Sequence, residues 1–182
     1  MKLRYRCFIL TPSGAPLVGA TVVFVPQGVT PLEIAATLDA NATKALKALP
    51  ELQRAKVAAP GSAKEYNATL GDIEAMSHLG LYYAAKIRGA CDLALFDKTG
   101  DAKQQASAVQ HLEAALSHWK NYSAAYTRQY VQPVLFNRAG LVDIPKQTVD
   151  VAADVQTARD WKPGTVDESK VQRSGTEAGF KK

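Results

Sequence analysis

Apolar and polar positions change rhythm as the chain proceeds. Over residues 2–10 they alternate, with Leu3, Tyr5, Cys7 and Ile9 on one side and Arg4 and Arg6 on the other. Period two is the pattern of a strand. Thr11 to Pro16 is rich in turn residues, and residues 17–25 are rich in β-branched side chains. Together they predict a short N-terminal β-hairpin, an appendage over residues 1–28. A lone hairpin is marginal in water and has to pack on something else. From Thr30 the period lengthens. Thr30-Pro-Leu-Glu33 reads as a capping box with proline at the first helical position. Ala35, Leu38, Ala42, Ala45 and Leu49 follow at spacings of three and four, which predicts an amphipathic helix. Pro50 is expected to end or kink it. Leu52 and Val57 suggest a partly packed connection up to the break at Ala59-Pro-Gly-Ser62.

Residues 63–98 read as one long helix, about 50 Å at 1.5 Å per residue. Ile73, Gly80, Ile87 and Ala94 recur every seven positions, and Met76, Tyr83 and Ala90 offer a second line of the same seam. Gly71, Gly80 and Gly89 each cost a helix about 1 kcal/mol relative to alanine. They are expected to mark close helix approach or a kink. Gly100 and Asp101 suit a cap and an N-cap, the mark of a tight αα-hairpin. A helix over 102–130 follows, with the stripe Ala108, Leu112, Ala115, Trp119, Tyr122 and Tyr126. After Pro133 the pattern predicts a loop over 136–144, a short helix over 146–161, and a polar, disordered tail from Lys162. The expected fold is therefore mainly α: an antiparallel three- to four-helix bundle over 29–161 with a short N-terminal β-hairpin.

Size and composition fit that picture. The 182 residues suit one domain plus an appendage, with 47% apolar and 21% charged residues. The net charge of +5 is spread along the chain without a basic run, so no nucleic-acid partner is expected. No stretch reaches the roughly 18–20 apolar residues of a membrane span, and no membrane partner is expected. The N-terminus begins with the charges of a signal peptide, but the apolar run Cys7–Leu10 is too short, and it is read as part of the folded chain. Cys7 and Cys91 have no metal or redox spacing and read as free buried thiols.

The candidate chemistry is sparse. His78, His111 and His118 include no Glu-x-x-His or His-Glu-x-x-His pattern, so no metal site and no cofactor are predicted. Asp72 and Glu74 point in different directions on a helix and do not make a glycosidase pair. No Gly-x-Ser-x-Gly, phosphate loop or dinucleotide fingerprint is present. No catalytic residue is predicted, and no activity for this chain alone. The sequons at Asn41, Asn67 and Asn121 fall in predicted helices and read as accidental. Trp119, Tyr122, Tyr126 and Tyr130 remain. Such aromatics can stack on sugar rings or hold a partner helix, and are the candidate contact residues, although core packing would give the same spacing.

Three stretches carry a family resemblance: Leu70–Ala90, His111–Tyr122 (His-Leu-Glu-Ala-Ala-Leu-Ser-His-Trp-Lys-Asn-Tyr) and Leu135–Ile144 (Leu-Phe-Asn-Arg-Ala-Gly-Leu-Val-Asp-Ile). Together they resemble the C-terminal helical region of large, secreted bacterial glycoside hydrolases with an α-glucuronidase-like N-terminal domain. The resemblance spans roughly residues 28–160 and does not include residues 1–27. It implies a non-catalytic accessory domain. The implied partners are a catalytic barrel domain, a homodimer partner or an oligosaccharide, in an extracytoplasmic setting. No catalytic residue of that family maps onto this chain. A free-standing helical protein-interaction module is the alternative reading.

Overall fold

The computed structural model describes residues 5–6, 9–10, 16–17, 21–22, 29–55, 62–136 and 140–166. The protein is mainly helical, with a small two-stranded antiparallel sheet on the helical body. Four helices carry it: α1 (Pro31–Arg54), α2 (Ser62–Thr99), α3 (Ala102–Thr127) and α4 (Thr148–Asp160). In the N-terminal segment β1 (Tyr5–Arg6) pairs with β4 (Thr21–Val22), and β2 (Ile9–Leu10) with β3 (Pro16–Leu17). Most of residues 1–28 lies outside the described residues, and these two-residue pairings do not establish the hairpin expected there. The hairpin that is established joins β5 (Val134–Phe136) to β6 (Gly140–Val142), where a loop was expected.

Helix α1 starts as its sequence dictates. The Thr30 backbone N–H donates to the Glu33 carboxylate at 2.6 Å, and the Glu33 N–H donates to the Thr30 hydroxyl at 3.1 Å. The backbone N–H of Thr30 holds the Glu33 carboxyl below its usual pKa. Pro50 does not end this helix, which runs on to Arg54. Pro50 is exposed, and the Arg54 side chain donates back to its carbonyl at 2.9 Å. One missing N–H near an exposed helix end is tolerated.

Helix α2 is the axis of the molecule. It packs along both α1 and α3, while α4 packs on α3 and reaches α2 through its inner face. Its glycines make these approaches close. A Cβ on Gly80 would lie 3.3 Å from the Ala42 Cβ, and one on Gly89 would lie 2.9 Å from Leu112 Cγ. With neighbours on several sides, α2 does not use a single heptad seam. Met76 and Tyr83, expected in that seam, are exposed, whereas Ala75, Tyr82, Ala85 and Leu93 are buried. Gly100 turns the chain with a φ of 70°, and Asp101 caps α3 by accepting from the Lys103 N–H at 2.9 Å. Helix α3 ends at Thr127, three residues short of expectation.

Two apolar clusters form the interior. One joins Tyr82, Trp119, Tyr122, Ile144 and Val151. The other joins Phe96, Leu112, Val155, Ala158 and Trp161. The chain beyond α4 is not loose at Lys162, as was expected. The buried Asp97 carboxylate accepts from the Trp161 indole N–H and from the Thr165 N–H, each at 2.9 Å. Residues 167–182 lie outside the described residues. The expected free thiol is also corrected at Cys91, which is disulfide-bonded. The chain's other cysteine, Cys7, lies outside the described residues.

Candidate functional site

The β5–β6 hairpin follows the end of α3, where Arg128, Gln129 and Tyr130 meet α2 at Asp72 and Glu74. Its register pairs Val134 with Val142, Leu135 with Leu141 and Phe136 with Gly140. Side chains alternate across a strand. Val142 accordingly packs on the first apolar cluster, and the Leu135–Leu141 pair faces away. Leu135 is 73% exposed, Leu141 72% and the nearby Val131 90%. Tyr130 and Phe136 are exposed as well. No charged side chain interrupts the described residues from Gln129 to Val142. Leu135 and Leu141 stand opposite each other across the strands, and a paired exposure is informative where scattered exposed leucines are not.

The residues flanking the hairpin are held in place by polar anchors. Asp72 accepts from the Tyr130 hydroxyl at 2.8 Å and from the Gln129 amide at 3.0 Å. Glu74 pairs with Arg128. The Gln132 side chain accepts from the Ile144 N–H at 3.0 Å and donates to the Tyr130 carbonyl at 3.2 Å. Asp72 and Glu74 are thus engaged as anchors on neighbouring segments.

The four candidate aromatics lie on one ladder. From Tyr83 it runs through Tyr82, Trp119, Tyr122 and Tyr126 to Tyr130, with successive ring centroids 4.6–5.5 Å apart. Trp119 and Tyr122 are each only 6% exposed, and Tyr126 is half-buried. The Trp119 indole donates to Thr148 at 3.2 Å. Burial, reinforced by Tyr126 and Tyr83, pushes the Tyr122 phenol up to about 12. The inner half of the stripe is therefore core. Of these four, only Tyr126 and Tyr130 bring aromatic surface towards the hairpin, where Phe136 is also exposed. Sequence reading missed Val131, Leu135 and Leu141. Leu135 and Leu141 sit in two short apolar runs, Val134-Leu-Phe136 and Gly140-Leu-Val142, each too short for a period to be read.

The polar clusters elsewhere have other geometries. Lys86 forms an interior pair with Asp154 at 2.7 Å and donates to the Tyr82 hydroxyl at 3.0 Å. Burial raises the Asp154 carboxyl, and Lys86 offsets this in part. Burial works to lower the Lys86 ammonium, but Tyr82 and Asp154 outweigh it and hold it above its ordinary value. Burial likewise raises the Tyr82 phenol, which stays neutral and accepts from the ammonium. This trio ties α4 to α2. On another face Ser107 donates to Asp92 at 2.6 Å, and His111 lies 3.7 Å from the same carboxylate oxygen. A nucleophilic triad needs the hydroxyl on the imidazole and the imidazole on the carboxylate. Here the carboxylate stands between the other two. An open groove of about 530 Å³ beside α1 is lined by Asp39, Thr43, Lys44, Lys47 and Arg88, and Arg88 is paired with Asp39 at 2.8 Å.

Among the described residues no three histidine, cysteine, aspartate or glutamate side chains converge as a metal site, and no helix is long and apolar enough to cross a membrane. In comparison with known proteins, no family model, curated protein or solved structure matches the chain.

Proposed function

We propose that this chain is a non-catalytic accessory helical domain that docks through its hairpin end onto the catalytic domain of a glycoside hydrolase-like enzyme. The observation that supports docking is the exposed Leu135–Leu141 pair with Val131, flanked by residues anchored through Asp72 and Gln132. Pre-ordering such a surface reduces the entropy lost on association. The helices act as an antiparallel bundle that presents it. The carbohydrate setting rests on the resemblance of residues 70–90, 111–122 and 135–144. The disulfide at Cys91 agrees with the extracytoplasmic setting which that resemblance implies, because disulfides persist in oxidising compartments. Trp119 and Tyr122 act as core supports in this reading, and any contact with sugar or partner falls to Tyr126 and Tyr130.

The test is co-expression of the chain with a catalytic barrel of the α-glucuronidase-like class, followed by purification. A complex is expected that Leu135→Asp together with Leu141→Asp abolishes. No complex, or one indifferent to those substitutions, overturns the proposal. Turnover of an aryl glycoside by the chain alone would show that it is itself an enzyme. Sedimentation of the isolated chain as a dimer sensitive to the same substitutions would favour self-association.

A further inference from the structure

Two histidines in the body of the protein are unused by the docking surface. His78 of α2 and His118 of α3 face each other across the seam, with stacked rings whose centroids are 6.4 Å apart. The Nδ1 atom of each is buried and has no hydrogen-bond partner among the described residues. A bare lone pair in the interior costs less than a bare N–H, so the neutral form with its proton on Nε2 fits this site. A second proton would have to sit on Nδ1, where no acceptor faces it. It would also place a positive charge beside a second imidazole that faces the same difficulty.

The surrounding charges give little relief. Glu74 on α2 faces His78 but is already paired with Arg128, the residue just after α3, whose own charge opposes protonation. Asp39 on α1 faces His118 but is already paired with Arg88 of α2. Each nearby carboxylate is therefore partly neutralised by an arginine. We propose that His78 and His118 form an acid-sensitive joint between α2 and α3, and that their protonation loosens the seam at that level. Glu74 lies one turn before His78, so loosening reaches the anchor that holds the hairpin end. The proposal stands whether or not the hairpin docks on a partner.

Desolvation, partly offset by Glu74 for His78 and joined by His78 for His118, holds both imidazoles below the ordinary value of 6.5. The unfolded chain then takes up protons more readily than the folded one. Stability is complete above the unfolded value and is lost as the pH falls below 6.5 towards the folded values. Each imidazole can raise the unfolding constant by at most about tenfold per pH unit in that window.

The test has two readouts. In the unaltered chain, NMR titration of the imidazole resonances is expected to place both pKa values below 6.5. Chemical denaturation from about pH 7.5 down to about pH 5 is expected to show a fall in stability that His78→Gln with His118→Gln removes. Amide exchange at the acid end is expected to rise first in α2 and α3 around the pair. Either imidazole titrating at or above 6.5 overturns the proposal. So does an undiminished acid loss in the double variant. If that variant does not fold, the titration of the unaltered chain decides.

Discussion

The two ends of the helical body are finished in opposite ways. At one end the chain closes on itself. Asp97 holds the Trp161 indole and the Thr165 N–H, and Trp161 packs with Phe96 and Val155. Gln105 donates to the carbonyls of Ala158 and Arg159 at 2.9 and 3.0 Å, which satisfies acceptors that the end of α4 would otherwise leave bare. At the other end, about 40 Å away along α2, the residues flanking the hairpin are anchored at Tyr130 and Ile144, and its apolar pair is left to solvent. Burial at one end and exposure at the other teach that the exposed leucines are not a sign of poor packing. The same chain caps its apolar surface where the last helix turns back, and presents it where the hairpin stands.

The largest expected effect tests the closed side. Lys86→Met alone leaves Asp154 buried, at 2% exposure, without its counter-charge. A loss of about 3–5 kcal/mol is expected by chemical denaturation. Adding Asp154→Leu should recover most of it, because a packed apolar pair can replace a buried ion pair. An equal loss in single and double variants would show that the pair is not what holds α4. Next, Asp97→Ala removes the acceptor from two donors and should cost about 2–3 kcal/mol, with fluorescence reporting exposure of Trp161. An unchanged denaturation midpoint would end the description of that end as closed by its own chain.

Smaller effects follow. Gly89→Ala gains about 1 kcal/mol of helix propensity but forces a methyl against Leu112 and the Ala108 carbonyl, at 2.9 and 3.2 Å. Overpacking costs about 1–3 kcal/mol, so a modest net loss in Tm is expected. A gain would mean that α2 and α3 can move apart freely. The smallest effect on stability belongs to the open end. Leu135→Asp with Leu141→Asp should change the folding free energy by no more than about 0.5 kcal/mol, while association with the partner is lost. A large destabilisation would place those leucines among the folding contacts and remove the contrast between the ends.

Much of the frame was legible along the chain. The capping box at Thr30–Glu33, the length of α2, the turn at Gly100–Asp101 and the periodic stripe of α3 are local signals, and each appears where its residues put it. Local signals fail where neighbours decide. Met76 and Tyr83 carry a heptad spacing yet face solvent, because α2 is covered by α1, α3 and α4 along lines that no single repeat describes. Pro50 reads as an end or a kink, and the helix nevertheless runs on past it to Arg54. Residues 134–142 are too short for a periodic argument, and pairing of Val134 with Val142 makes them a hairpin.

For the candidate site the division is sharper. Sequence alone named the stripe Trp119, Tyr122, Tyr126 and Tyr130 by spacing and residue type, and spacing is the same for a core stripe and a binding stripe. Only the tertiary structure divided it, because Ile144 and, in α4, Val151 cover its inner half and leave Tyr130 outside. The sequence determined where helices begin, how long they run and which residues they could offer. Which of those residues reach a partner was decided by packing, since burial depends on what the rest of the chain lays over them.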